Sequence, residues 1–452
     1  MKYNFGRIKI DYYIYVYLIW VSILSFVLKK DVLILGNLLL ILGILSFFLL
    51  KNEKILLFSS IFLSLIYSAL SSLGTYLMVY VYILMLMSLV INKKTIKLNN
   101  FILIFGVSIL FLNLAPLMVN GISLPLLIIA TLKRFGFIIV FIFTASINNI
   151  SEKFKRLLIK LIVFTLLINF LYSVVQFNQG IDRDFITGFF GGGMTGIIMY
   201  LFMFYVALLS GVHYKKRIST TLYMVLSLIP VIYAAIAEVK IGFITIPLIV
   251  VFYLVVLNRS YKHFAFLLVG GLIFVQLYTL FINLYPTHDF REVNFLKKYL
   301  SQDSYGNDGT INRYGFKPQI DTIIFNNDKM EELFGKGIGS NNPGKNDLLQ
   351  GEVFKKYDFL KTRWFTIPYL YVETGIVGTT LYIMMYLIAL IIAVKEFLRK
   401  KTALLIVLIL MGLSNFLFLQ YNPGLLDYGV TTIYWVYFAL FVRQKKSNIE
   451  ER

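Results

Sequence analysis

The chain has 452 residues, of which 59% are hydrophobic and only 15% charged, and its mean hydropathy is +0.78. Such a composition excludes a soluble globular domain and a disordered segment, and the absence of cysteine excludes disulfides, thiolate metal sites and cysteine nucleophiles. The formal net charge of +20 needs an explanation, because a basic balance also suits nucleic acid.

Apolar runs of about 18 residues or more recur along the chain, the length that crosses a hydrocarbon core. A barrel would instead show apolar–polar alternation over about ten residues. The fold class expected is therefore an all-α polytopic membrane protein with about 14 transmembrane helices, 12–14 by the sharpness of their boundaries. In chain order the helices are expected at 11–28, 32–50, 55–72, 75–91, 101–119, 123–147, 158–177, 193–212, 219–237, 241–257, 264–285, 366–394, 402–420 and 430–442. The first run, 12–27, ends in Lys29-Lys30-Asp31 with no small-residue cleavage site and reads as a spanning helix rather than a signal peptide. The chain thus divides into helices over 1–285, one polar stretch over 286–365, and helices with a tail over 366–452.

Lys/Arg placement fixes an expected orientation. With the N-terminus in the cytoplasm, one face receives Lys2, Arg7 and Lys9, then Lys51 and Lys54, Lys93 and Lys94, Lys153 to Arg156, Lys215 to Arg217, Arg259, Lys395 to Lys401, and the C-terminal basic residues. Short loops on the other face carry only Lys29, Lys30, Arg183 and Lys240. This is the positive-inside pattern, so both termini are expected in the cytoplasm and 286–365 outside it. That stretch holds twelve Lys/Arg against eleven Asp/Glu. The excess positive charge therefore lies on the cytoplasmic face, beside anionic headgroups, and no nucleic-acid partner is needed to explain it.

The polar stretch is too rich in Phe, Tyr, Leu and Ile for a linker. Within it, 321–333 reads as a short amphipathic helix ending before Gly335, and 347–360 as another. The run Gly339-Ser-Asn-Asn-Pro-Gly344-Lys345-Asn346 is one residue short of a P-loop. Its last position is Asn where a Mg²⁺-binding hydroxyl is required, and no apolar strand precedes it, so an ATPase is not expected.

Charges inside spans are expensive and point to function or to pairing. Lys133 and Arg134 fall inside the helix at 123–147, about ten residues from its outer end; being adjacent, only one of them can face the interior. Glu238 and Lys240 sit at an outer junction, two apart, and share a cavity only if the helix breaks there. Glu373 lies one or two turns inside the span that starts at 366, as an ion-pair partner or a reactive group. Asp182 and Asp184 flank Arg183, which would neutralise a D-x-D metal site, and Gly191-Gly192-Gly193 follow. In the polar stretch, Arg313 and Lys317 carry cations, with Arg313 suited to bidentate phosphate contact. The alternating glycines of Gly335-Lys336-Gly337-Ile338-Gly339 can aim N–H groups at an anion as a nest, with Lys336 adding charge, or simply turn the chain. Arg363 precedes the Glu373 helix.

These residues, in this order, resemble the Wzy-type O-antigen and capsular polysaccharide polymerases, a family related to the O-antigen ligases. The likeness rests on one large loop in the C-terminal half with Arg313 early in it. It continues with Leu333-Phe334-Gly335-Lys336-Gly337-Ile338-Gly339 and then Glu373-Thr374-Gly375-Ile376-Val377-Gly378 at the head of the next helix. Lys240 stands where the family has a basic residue, in Glu238-Val239-Lys240-Ile241-Gly242. The layout covers nearly the whole chain, and its specificity comes from order and topology because each motif is short. Ligases carry a His-Asn pair about nine residues before the Glu; here Trp364-Phe365 stand there, and His213, His263 and His288 lie elsewhere. That departure favours polymerase over ligase.

The resemblance implies a glycosyltransferase-C-like fold in the bacterial inner membrane. It also implies undecaprenyl-pyrophosphate-linked oligosaccharides as donor and acceptor, a chain-length-regulating co-polymerase as partner, and no metal or other cofactor. Lys240 and Arg313 would steady the leaving diphosphate, with Arg134 and Lys336 as second choices. Glu238 would take the acceptor's proton, with Glu373 as the other base or a structural partner. Lys317, Arg363, Gly337 and Gly339 complete the expected substrate contacts. The rival class is a flippase for lipid-linked oligosaccharides, which the single long outer loop disfavours.

Overall fold

The computed structural model describes residues 49–50, 52–66, 69–92, 122–148, 150–190, 195–258, 309–311, 315–344, 347–426 and 428–450, with 271, 275, 276 and 279 as isolated positions. The expected helices 11–28, 101–119 and 264–285, most of 32–50, and Arg313 lie outside the described residues, those isolated positions aside.

Among the described residues the chain is all-helical and has no strand. The larger helices are α1 (Glu53–Ile66), α2 (Ser71–Ile91), α3 (Leu124–Ser146), α4 (Glu152–Asn178), α5 (Thr195–Tyr214), α6 (Thr220–Ile236) and α7 (Lys240–Val251), which continues as a π-helical turn over Phe252–Leu257. The polar stretch contributes three short ones, α8 (Phe316–Ile323), α9 (Lys329–Phe334) and α10 (Glu352–Tyr357). After it come α11 (Thr366–Arg399), α12 (Ala403–Leu419) and α13 (Tyr428–Glu450). Among the described residues, six helices are long and apolar enough to cross a membrane, and α6 and α12 are shorter apolar helices.

Two helices show how the sequence sorts interior from periphery. In α4 the buried positions are Phe154, Leu158, Ile162, Leu166, Asn169 and Ser173. That is a stripe at three- and four-residue spacing, and apolar residues such as Phe164, Leu171 and Val175 are exposed opposite it. An apolar face left open in this way suits lipid. In α5, by contrast, every residue from Ile197 to Gly211 is buried. It is the central helix, packed on α12, α6 and α7, while α3 packs on α2 and α13, and α11 on α12.

The expected amphipathic helix at 321–333 is instead two helices. Asn326 and Asn327 take left-handed backbone, φ 51° and 62°, and part α8 from α9. Asn tolerates that region better than other side chains, and Gly335, φ 75°, ends α9 as foreseen.

The polar stretch has its own small core of Ile311, Ile320, Ile324, Phe325, Val353, Leu360 and Phe365, completed by Tyr371 and Val372 from the head of α11. The head of α11 therefore joins both cores, Tyr371 and Val372 facing the loop's and Tyr369 and Leu370 the main one. Gly375, whose φ of 61° and ψ of −165° are non-helical, kinks α11 just beyond them.

Candidate functional site

The break at Gly375 frees two carbonyls from their helical partners, and the loop takes them up. Lys336 N–H donates to Val372 O at 2.8 Å and Gly337 N–H to Glu373 O at 2.9 Å. The fit is close on both sides. A Cβ at Gly335 would stand 2.5 Å from the backbone of Glu373 and Thr374, and one at Gly375 would stand 2.3 Å from the Leu333 carbonyl. Both glycines also have positive φ, so backbone approach and conformation each require a residue without a side chain.

The same turn engages the Glu373 side chain. Gly339 N–H donates to Glu373 Oε1 at 3.1 Å, and Arg134 Nε donates to Oε2 at 3.2 Å. Arg134, reaching across from α3, also donates to the Tyr369 hydroxyl, and its guanidinium carbon lies 4.3 Å from the centre of the Tyr369 ring. Tyr369 in turn donates to Asn341 O at 2.9 Å. Arg134 and Glu373 are 2% and 0% exposed. A buried pair of this kind is stable only when further hydrogen bonds satisfy its remaining atoms, and Gly339 and Tyr369 supply them. Of the adjacent Lys133 and Arg134, it is Arg134 that faces the interior, while Lys133 is half-buried.

The glycine turn therefore does meet an anion, as a nest would, but that anion is the protein's own Glu373 carboxylate. The neighbouring run toward Gly344 also closes on itself: Asn342 N–H donates to Gly339 O, Gly344 N–H to Asn342 O and Gly351 N–H to Asn342 O. Its donors are spent within the loop rather than aimed at a phosphate.

A second charged cluster sits at the junction of α6 and α7. The helix breaks there, with Glu238 in left-handed backbone, φ 53°. Such a conformation in a non-glycine residue costs roughly 1–3 kcal/mol and concentrates at functional sites. Arg183 donates to Glu238 Oε2 at 2.8 Å, and Lys240 Nζ lies 3.7 Å from Oε1. Arg183 is 39% exposed, Lys240 28% and Glu238 15%. Two cations thus share one carboxylate at a site open to solvent. Arg183 is the member that sequence reasoning missed, because its neighbours Asp182 and Asp184 suggested a local pairing. Both aspartates are exposed.

Both clusters lie at one end of the bundle. The starts of α5 and α11 meet at Asn422, which packs against Gly196 and accepts from the Thr366 hydroxyl at 2.6 Å. Gly242, in the first turn of α7, packs on Met199 of α5. Glu373 is two turns into α11 from that end.

The remaining expected contacts are peripheral. Lys336 pairs with Glu331, and Lys317, 45% exposed, pairs with Asp321. Arg363 donates to Asp358 at 2.8 Å and lies over the Phe354 ring. Asp358 is held below the usual carboxylate range: partial burial alone would raise it, but Lys361 and Arg363 together outweigh that. Neither a scan against models of known families nor a search of curated proteins finds a match to this chain.

Proposed function

We propose that this chain is a polysaccharide polymerase. In this reading it joins undecaprenyl-pyrophosphate-linked repeat units at the outer leaflet of a bacterial inner membrane. Its fold would be glycosyltransferase-C-like with about fourteen spans, the termini cytoplasmic and the 286–365 loop outside. The observation that carries the reading is the seating of the 333–339 turn in the Gly375 break. Two motifs 34 residues apart, matched to the family separately in sequence, form one hydrogen-bonded unit through Gly339 and Glu373.

The chemistry assigned to it needs no covalent intermediate. A hydroxyl oxygen of the acceptor sugar attacks the donor's anomeric carbon, the bond from that carbon to the diphosphate oxygen breaks, and the hydroxyl proton passes to a base. Negative charge builds on the departing diphosphate, and cations held beside it lower the barrier. Lys240 and Arg183 supply two such cations, and Arg313 is the third in this reading. Glu238 is the base in this scheme: as the phosphate oxygens draw Arg183 and Lys240 toward them, its carboxylate is released to accept a proton. Glu373, already engaged by Arg134 and Gly339, serves as a positioning residue rather than a base.

The test is polymerisation in vitro with purified protein and lipid-linked repeat units. Products longer than one unit are expected, with and without chelator. Deletion in the source bacterium should leave single units on the carrier. Normal chain length there would end the polymerase reading, and single units confined to the inner leaflet would replace it with the flippase.

A further inference from the structure

The stripe by which α4 is buried changes chemistry along its length. Phe154, Leu158, Ile162 and Leu166 give way to Asn169, Ser173 and then the half-buried Gln176, still on one face at three- and four-residue spacing. Asn169 lies nine residues before the end of the helix at Asn178, about 13 Å down its axis. The segment that starts at Arg183 runs back along this polar face as two single 3-10 turns, Arg183–Phe185 and Gly188–Phe190, with Ile186, Thr187 and Phe190 buried. Non-helical backbone at such depth in a spanning bundle persists only where protein groups satisfy it.

Three side chains do so. Gln176 grips both backbone groups of Gly188: its Oε1 accepts from the Gly188 N–H at 2.7 Å and its Nε2 donates to the Gly188 carbonyl at 3.0 Å. Asn169 Oδ1 accepts from the Phe189 N–H at 3.0 Å, and the fully buried Tyr233 of α6 donates to the Ile186 carbonyl at 3.1 Å. Gly188 has φ 62°, and a Cβ there would stand 2.2 Å from Asn169 Oδ1, so only glycine fits. The segment is thus pinned between α4 and α6. Ile186 is three residues past Arg183 and Tyr233 five before Glu238, so the pins lie beside the Arg183–Glu238 pair. Arg183 has closer acids in sequence, the exposed Asp182 and Asp184. On a loose segment those acids compete with Glu238 for its guanidinium; the pinned segment presents it to Glu238.

We infer that Gln176 is a positioning residue: by clamping Gly188 it seats the 185–190 segment between α4 and α6 and so holds Arg183 on Glu238. The seat is a property of the fold. Its consequence for activity rests on the reading proposed above, in which Arg183 steadies the departing diphosphate. Gln176 itself touches no reacting atom; removing it changes where a cation stands, not whether one is present.

The experiment uses full-length protein in nanodiscs. The chain has no cysteine, so Arg183→Cys and Glu238→Cys together supply the only thiols, and a short bis-thiosulfonate reagent bridges them when the two positions are close. Gln176→Met keeps the side-chain length and removes both hydrogen bonds; it should lower the bridging yield several-fold. With native Arg183 and Glu238 in place, the same substitution should lower kcat for polymerisation of lipid-linked repeat units roughly 10–100-fold, the scale of a misplaced charge-stabilising group, while KM changes little. Combined with Arg183→Ala it should cost nothing further, because Gln176 acts through Arg183. Gly188→Ala, which drives a methyl into Asn169, should give the same pattern and serves if Gln176→Met fails to fold. No bridging in the two-cysteine protein, or a yield that Gln176→Met leaves unchanged, overturns the seat. A lowered yield with unchanged kcat, or losses that multiply in the combined variant, overturns the positioning role. No polymer from the parent protein ends the polymerase reading instead and leaves the bridging yield to decide the seat.

Discussion

The two charged clusters at this end of the bundle are built from the same chemistry and do opposite things. Arg134 and Glu373 are sealed from solvent, each with its hydrogen bonds met by the Gly339 turn and Tyr369. Arg183, Glu238 and Lys240 are partly open and rest on a strained residue. A sealed pair holds two pieces of chain in register, because separating its members strands a charge in a low dielectric. An open trio can trade its internal contacts for those of another charged group at little cost. The first is a latch between loop and membrane helices, and the second is the cluster to which the proposed function assigns the charged substrate.

The sharpest way to break this contrast is to remove one half of the latch. Glu373→Ala leaves Arg134 buried without its carboxylate and should destabilise the protein by about 3–5 kcal/mol, read as lost thermal stability in detergent and lost activity together. Wild-type stability in that variant would remove the latch. Lys240→Ala should act the other way round. Stability should change by about 1 kcal/mol or less, as for an exposed pair. Under the proposed function, polymer formation should fall by roughly 10²–10³-fold, the usual effect of losing one charge-stabilising donor. Equal loss in stability and activity would make the two clusters alike. Between these lies Gly375→Ala, which must put a Cβ into the Leu333 carbonyl in left-handed backbone. It should cost roughly 2 kcal/mol or more and expose the loop to limited proteolysis before the membrane helices.

Sequence and structure agree best where one periodicity decides the outcome. The helices expected at 123–147, 219–237 and 402–420 match α3, α6 and α12 to within a residue or two, because apolar spans bounded by polar residues have one solution. The α6–α7 break was legible too, since Glu238 and Lys240 share a site only if it exists. What escaped sequence was partner choice. Arg134 and Glu373 are 239 positions apart, and Arg183 and Glu238 are 55 apart. Nothing local says which buried cation a buried acid will meet. Arg183 was hidden by closer decoys, Asp182 and Asp184. The glycine turn was readable as an anion nest, yet its anion came from the same chain, and only the fold brings Glu373 over Gly339.

The smallest effect tests the loop surface, where charge pairs should matter least. Asp358 is held below its ordinary range by Lys361 and Arg363 against the opposing effect of burial. A carboxyl depressed in the folded state contributes stability above its unfolded value, near pH 4. That contribution is lost as pH falls through the lower folded value. All three side chains are about a third exposed, so solvent screening limits the pairing to about 0.2–1 kcal/mol. Asp358→Asn should therefore lower thermal stability slightly at pH 7, and the difference should shrink as pH falls below the ordinary carboxylate range and through the depressed folded value. The comparison with Glu373 is then quantitative: two acids of one loop assembly, each bound to an arginine, should differ several-fold in what their removal costs because one pair is dry and the other wet. Comparable losses at pH 7 would mean that burial is not what separates the latch from the surface.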